Sequence, residues 1–194
     1  MIRRLAGPLG AQALGALLAG CSGNIPPSAG PTTSVATGAP NAADVMFLQM
    51  MIAVDRDAVE LLSLASTRAG DDVKLLAAAI AATQATDVET MAGWLRAWGH
   101  PTTMDPDPAA HAGHGGVHTL GPTDLAPLRP LRGAAFDRAF LNLLIGYQHN
   151  AVDLANVELA GGADPGARQL AERLRTAAEA QIAHMLTLVA AAPG

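Results

Sequence analysis

The feature that most constrains the fold is an internal repeat, because the chain partly matches itself when it is shifted by 93 residues. The matched pairs are Asp44 and Asp137, Phe47 and Phe140, Ile52 and Ile145, Ala58 and Ala151, Val59 and Val152, and Leu61 and Leu154. With one extra residue allowed, the stretch from Gln84 also overlays the stretch from Ala178, and Met91 then falls on Met185. Each copy has the length of two helices, so the repeat predicts two related helical hairpins.

Apolar residues in both copies recur at helical spacing, which predicts four amphipathic helices with inward-facing stripes. The stripe positions are Leu48, Ile52, Val59 and Leu62, then Leu76, Ile80, Met91 and Trp94, then Leu141, Ile145 and Val152, and finally Leu170, Leu174, Met185 and Leu188. The turns TRAGDD and GGADP supply Asp71 and Asp164 as expected N-caps, with Pro165 at the first helical position. Only 3% of residues are aromatic, which suits closely packed helices better than a β-sandwich. We therefore expect an all-α four-helix bundle, with a long crossover between the hairpins.

The N-terminus has the pattern of an export signal. Arg3 and Arg4 precede an uncharged apolar stretch that is too short for a comfortable membrane span. The run from Leu18 to Cys21 resembles the lipobox of bacterial lipoproteins, which implies cleavage before Cys21 and a lipid on its sulfur. The alternative is an ordinary signal peptide followed by an incidental cysteine. Residues 1–20 are thus expected to be removed, residues 21–40 to form a flexible Pro-, Gly- and Ser-rich tether, and residues 41–194 to form the domain.

Charge and cysteine content narrow the location and the partners. Cys21 is the only cysteine, so the chain can form no intramolecular disulfide. The chain has 12 Lys and Arg against 17 Asp and Glu, which excludes the basic surface typical of binding to nucleic acid or anionic lipid. We therefore expect an exported protein that is anchored to the cell membrane by its lipid. No protein partner can be named from the sequence.

Each predicted inward stripe is interrupted once by a polar residue. These core-layer residues are Asp55, Asp87, Gln148 and Gln181. Buried polar groups must be hydrogen-bonded or must bind something, so the four are expected to have a common structural or binding role.

Several stretches resemble the domain of unknown function 305 family over about residues 41–189. These are FLQMMI with the following AVE, then MAGWLRAWG from Met91 to Gly99, and a second FD..FL pattern from Phe136. The resemblance implies a ferritin-like four-helix domain that is common in secreted and lipid-anchored bacterial proteins. Some members of that family are associated with copper.

The family's ligand-type positions are only partly kept in this chain. Its two His-His pairs fall on Val54 and Asp55 and on Tyr147 and Gln148, while its Glu positions fall on Asp87 and Gln181 and its Met positions on Met91 and Met185. Three interpretations of the layer stay open. It is a hydrogen-bonded core layer, for example Asp55 with Gln148 and Asp87 with Gln181; or an oxygen-rich cation site; or a remnant copper site made by Met91, Met185, His149 and His184.

The predicted crossover, residues 100–133, carries four of the six histidines. The candidate ligands are His100, Met104, His111, His114 and His118. The spacing of the last three on a Gly-rich segment lets three imidazoles converge on copper or another divalent metal. The alternative is a polar loop whose histidines bind nothing.

Motifs of the common catalytic classes are absent from the sequence, including a phosphate-binding loop, a G-x-S-x-G elbow and the paired Glu-x-x-His of di-iron proteins. The sequence therefore favours a non-enzymatic, copper-type metal-binding lipoprotein of the cell envelope. The alternative is a metal-free envelope lipoprotein that acts as a protein-interaction module, with a purely structural polar core.

Overall fold

The computed structural model describes residues 39–105, 107 and 120–191. It contains four long helices, α1 (Ala42–Arg68), α2 (Asp71–Ala97), α4 (Gly133–Gly161) and α5 (Pro165–Ala191), and a single helical turn, α3 (Pro122–Leu125). The described part of the chain has no strand, so the predicted all-α fold is confirmed. The predicted signal peptide, Cys21 and the crossover residues His111, His114 and His118 lie outside the described residues.

The two hairpins pack through their first helices. α1 pairs with α2, α4 pairs with α5, and α1 lies against α4. Arg132 at the start of α4 donates to the carbonyl of Thr67 near the end of α1 (3.1 Å), and Asn41 at the start of α1 donates to the carbonyl of Gly161 at the end of α4 (2.8 Å). α1 and α4 are therefore antiparallel, and they form the centre of the bundle.

The sequence repeat appears in the structure as an exchange of equivalent contacts. Asp44 on α1 accepts hydrogen bonds from the backbone N–H groups of Ala163 (3.0 Å) and Asp164 (2.9 Å) in the α4–α5 turn. Its repeat partner Asp137 on α4 accepts one from the N–H of Gly70 (3.0 Å) in the α1–α2 turn. Each hairpin thus supplies the carboxylate that satisfies free N–H groups in the other hairpin's turn.

The N-caps of α2 and α5 differ, although the sequence suggests aspartate for both. Asp164 caps α5, since its carboxylate accepts from the N–H of Ala167 (2.9 Å) and Pro165 begins the helix. The prediction of Asp71 as the cap of α2 is wrong, because the cap is Gly70 and Asp71 is already helical. The carboxylate of Asp137 holds the N–H of Gly70 itself, and α2 has no side-chain cap hydrogen bond.

Most of the predicted stripe positions lie in the hydrophobic core or against it, and Met91 and Met185 are fully buried. Val59 is the exception, because 62% of its surface is exposed. Trp94 and Trp98 stack at the end of α2 with ring centroids 6.4 Å apart. Within the described residues, no helix has both the length and the apolarity needed to cross a membrane.

Candidate functional site

The four core-layer residues line one small cavity inside the bundle, which we call the polar cavity. Its volume is about 180 Å³, and its polar lining comprises Asp55, Thr83, Gln84, Asp87, Gln148, Arg173 and Gln181. Asp55 lies on α1, Asp87 on α2, Gln148 on α4 and Gln181 on α5. The repeat therefore brings all four predicted residues to one place, although it gave no signal for Gln84 or Arg173.

The hydrogen bonding within this layer differs from the expected pairing. Gln148 donates through Nε2 to Oε1 of Gln181, so the two amides pair across the second hairpin. The example pairs Asp55 with Gln148 and Asp87 with Gln181 are therefore wrong. α4 and α5 are the most extensively packed pair of helices, which places the two glutamines within reach of each other and leaves the carboxyl groups apart from them.

Asp55 and its hairpin partner Asp87 have different environments. Asp55 is only 5% exposed and accepts no hydrogen bond from any residue that the structure describes. Burial, and then the negative charge of Asp87, raise the pKa of Asp55 to about 8. Asp87 is half-buried; burial raises its pKa too, but the guanidinium of Arg173 opposes that shift. The cavity therefore holds one protonated or weakly ionised carboxyl group beside an Asp–Arg pair.

Val54 and Tyr147 stand where the resembled family has the first histidine of each His-His pair. The Tyr147 hydroxyl donates to the backbone carbonyl of Val54. Both residues are buried, and burial is the first cause that raises the pKa of the Tyr147 phenol. A neutral phenol held by a carbonyl is a structural link rather than a metal ligand.

The polar cavity does not fit copper. Its donors are carboxylate, amide and hydroxyl oxygens, which suit harder cations. The expected thioether ligands Met91 and Met185 are fully buried in the hydrophobic core and do not line the cavity, while His149 and His184 are exposed. Across residues 39–105, 107 and 120–191, no group of three or more His, Cys, Asp or Glu side chains could hold a metal ion.

A second site lies at the end of the bundle where the crossover begins. A hollow of about 440 Å³, which we call the N-terminal hollow, is lined by Pro40, Asn41, Ala42, Val45, Met46, Gln49, His100 and Asp105. The loop wall is fastened to α1, since Gln49 donates to the carbonyl of Pro101 (2.8 Å). Met104 is half-buried and packs on the hydrophobic core.

Met46 was not predicted as a candidate ligand, because a methionine near the start of an apolar helix reads as a core residue. The antiparallel hairpin places the start of α1 beside the end of α2, and so sets the Met46 thioether and the His100 imidazole around the same hollow. The other crossover histidines, His111, His114 and His118, fall outside the part of the chain that the structure describes.

Comparison with known proteins agrees with the fold. The family model of the domain of unknown function DUF305 matches residues 44–189. A putative secreted DUF305 protein from Streptomyces coelicolor superposes with a TM-score of 0.69 at 27% identity, covering 76% of this chain and 91% of that one. CopM in its Cu(II)-bound form superposes with a TM-score of 0.62 at 23% identity, covering 75% and 95%. No curated protein matches the chain in sequence.

A DUF305 fragment from Deinococcus radiodurans also superposes, with a TM-score of 0.68 at 23% identity. It covers 79% of this chain, and 99% of the fragment is aligned. The family match covers most of each of the four long helices and all the residues that line the polar cavity. The chain belongs to the DUF305 family.

Proposed function

We propose that this protein is an exported, lipid-anchored, non-enzymatic metal-binding domain of the copper type. The metal is held at the N-terminal hollow by His100 and Met46. Crossover residues that follow in the chain, His111, His114 and His118, complete the ligand set, and the lipid on Cys21 keeps the domain at the membrane. On this proposal, metal captured in this way is cargo.

The observation that carries the proposal is the shared position of His100 and Met46 around one hollow. Imidazole and thioether are the ligands that select copper ions among the divalent and monovalent metals of the envelope. The histidine-bearing segment follows in the chain directly after the residues that line the hollow, so His111, His114 and His118 are the next imidazoles along the sequence. Asp105 adds a carboxylate at the rim.

Relatives of the same fold support this choice of metal. The CopM structures that superpose on this chain hold Cu(II), Cu(I) and silver. In this chain the core layer keeps oxygen donors only, so the proposal assigns capture to the open end of the bundle and a structural role to the Gln148–Gln181 pair. On this proposal the metal site lies at the open end of the bundle and not in the core, which accounts for the loss of the family's His pairs.

The test uses residues 35–194, which contain the whole helical domain. The protein is incubated in turn with Cu(I), Cu(II) and Zn(II), dialysed and analysed for metal content. We expect retention of about one copper ion per chain. Replacement of His100, His111, His114 and His118 by Ala should abolish retention, and Met46→Leu should weaken Cu(I) more than Zn(II), because zinc gains little from a thioether.

The matched control is the pair His149→Ala and His184→Ala, which removes two exposed histidines elsewhere and should leave retention unchanged. If the wild-type domain retains no metal, the proposal is wrong and the protein-interaction alternative becomes the better explanation. If the crossover variant binds normally while Asp55→Asn with Asp87→Asn abolishes binding, the metal site is in the core instead.

A further inference from the structure

A groove between α1 and α2 is a second concave surface of the described domain, and the metal-binding proposal does not use it. This α1–α2 groove has a volume of about 490 Å³. Its apolar lining consists of Val59, Leu62, Ala77, Ala81, Ala85 and Val88. Val59, predicted to face the core, is instead a largely exposed wall of this groove. Such a concave apolar surface fits the hydrocarbon part of a small ligand.

The groove meets the polar cavity at two side chains. Asp55 and Gln84 line both spaces, so the apolar groove ends at the oxygen-lined interior. Only 5% of the surface of Asp55 is exposed, and no described residue donates a hydrogen bond to it. The Oε1 atom of Gln84 is also buried without a hydrogen-bond partner. The Gln84 oxygen is an acceptor, and burial of an acceptor without a donor is unfavourable.

An unpartnered amide oxygen and a buried carboxyl group at the end of an apolar groove fit a ligand that donates hydrogen bonds to the amide and pairs with the ionised carboxylate. Arg173 acts on Asp87 rather than supplying a cation to Asp55. A metal cation such as Ca²⁺ would leave the apolar groove empty. It would also need more oxygen ligands than Asp55 and Gln84 offer where the groove meets the polar cavity. An alkylammonium ligand matches both the polar end and the apolar part of the site. Its N–H groups face Asp55 and Gln84, while its alkyl chain covers the groove.

The size of the groove limits the chain of such a ligand. The groove follows α1 from Asp55 to Ser66, a distance of about 16 Å at the usual helical rise. That length accommodates an extended alkyl chain of medium size. Besides Asp55, the lining includes the charged side chains of Arg56, Lys74 and Glu89.

We propose that the α1–α2 groove binds an amphiphilic primary amine, with its ammonium group at Asp55 and Gln84 and its hydrocarbon chain along Val59, Leu62 and Ala81. This site is separate from the N-terminal hollow and does not depend on metal. A lipid-anchored domain at a membrane surface would meet such amphiphiles, and the site would hold them by charge as well as by apolar contact.

The experiment titrates residues 35–194 with decylammonium, decanol and decanoate, each as monomer, by isothermal calorimetry. The three probes have the same chain and differ in the head group. Decylammonium should bind at least about tenfold more tightly than decanol, because a charge-assisted hydrogen bond contributes more than a neutral one, and decanoate should bind most weakly. Equal affinity of decylammonium and decanol, or tightest binding of decanoate, would overturn the proposal.

Two variants locate the site. Asp55→Asn, which keeps the shape and removes the charge, should weaken decylammonium at least about tenfold, while Asp153→Asn, the same change at an exposed position on α4, should not. Ala81→Phe fills the groove and should abolish binding of all three probes, whereas Ala82→Phe, next to it but outside the groove, should have no effect. If Asp55→Asn fails to fold, the comparison of Ala81→Phe with Ala82→Phe still tests whether the ligand binds in the groove. Normal binding by Ala81→Phe contradicts the proposal.

Discussion

Glu158 on α4 and Asp44 in the first turn of α1 are two fully buried carboxyl groups that lie close enough to shift each other's pKa. Burial would raise the pKa of Asp44, but hydrogen bonds from the backbone N–H groups of Asn41, Asp164 and Ala163 lower it below its ordinary value. Glu158 is 0% exposed, and as a carboxylate both of its oxygens would lack a donor. We therefore expect Glu158 to be the protonated partner near neutral pH, with its O–H donating to the Asp44 carboxylate.

This pair predicts that the domain loses stability as the pH rises. Burial first, and then the contact with Asp44, raise the pKa of Glu158 from 4.5 to about 8. The folded state thus binds the proton more tightly than the unfolded chain, so the stabilisation is complete below about pH 4.5 and is lost as the pH rises through about 8. Glu158→Gln keeps the donor without the charge and should raise the melting temperature at pH 8.5 by roughly 5 °C, with little change at pH 5.

The measurement is thermal unfolding by circular dichroism across pH 5–8.5. Asp55 also has a pKa raised to about 8, so the single variant should keep part of the slope and Glu158→Gln with Asp55→Asn should lose most of it. Glu89→Gln, the same chemical change at an exposed position, serves as the control. A melting temperature of Glu158→Gln that stays at or below the wild-type value at pH 8.5 would show that Glu158 is not the proton carrier.

The contact between Tyr147 and Val54 joins equivalent positions of the two repeats at the α1–α4 interface. Tyr147→Phe removes only the hydroxyl and leaves the ring in place. We expect a loss of about 1 kcal/mol, or a melting temperature lower by about 2–4 °C, since one buried hydrogen bond is lost. Urea unfolding followed by circular dichroism measures this free energy; an unchanged midpoint would mean that the hydroxyl contributes nothing to the interface.

The sequence predicts the helices and the four residues around the polar cavity because helical periodicity marks every break in an apolar stripe. It does not predict how those residues pair. The Gln148–Gln181 bond, and the isolation of Asp55, depend on how closely each pair of helices packs in the bundle. A period along one helix carries no information about that distance.

Two other features were missed for different reasons. Glu158 lies near the end of α4, in a stretch that mixes polar and apolar residues. A charged residue there is expected to be solvent-exposed, yet the neighbouring turn and α1 bury it completely. Met46 resembles a core residue, and only the meeting of the α1 start with the α2 end places it at a hollow with His100. Both depend on contacts between distant parts of the chain, which local sequence patterns do not encode.

Two glycines should respond in opposite ways to the same substitution. A Cβ at Gly162 would overlap the Glu158 carboxyl group and lie 2.8 Å from the Glu158 carbonyl oxygen, whereas a Cβ at Gly93 on α2 would meet nothing within 4 Å. Gly162→Ala should therefore destabilise the domain by about 1–3 kcal/mol. Gly93→Ala should stabilise it by about 0.5–1 kcal/mol, because alanine favours an exposed helix. Chemical unfolding of both variants tests this, and destabilisation by Gly93→Ala would contradict it.

Binding of an ammonium ligand at Asp55 should release a proton and should strengthen with rising pH. Burial, and then Asp87, raise the pKa of Asp55 to about 8, so near neutral pH the free site is mostly protonated and must ionise to accept the cation. The other charged or titratable groups around it are Asp87 on α2, Arg173 on α5 and Tyr147 on α4. Arg56, Lys74 and Glu89 lie along the groove.

The affinity for decylammonium should therefore rise from pH 5.5 to about 8, by close to tenfold per unit, and then level off. Calorimetry at pH 6.5 in buffers of different ionisation enthalpy should detect release of about one proton per ligand, because an ionised Asp55 is the form that binds. Asp55→Asn should remove both the proton release and the pH dependence, and Asp153→Asn should change neither. Affinity that falls as the pH rises, or proton uptake on binding, would exclude Asp55 as the group that receives the ammonium.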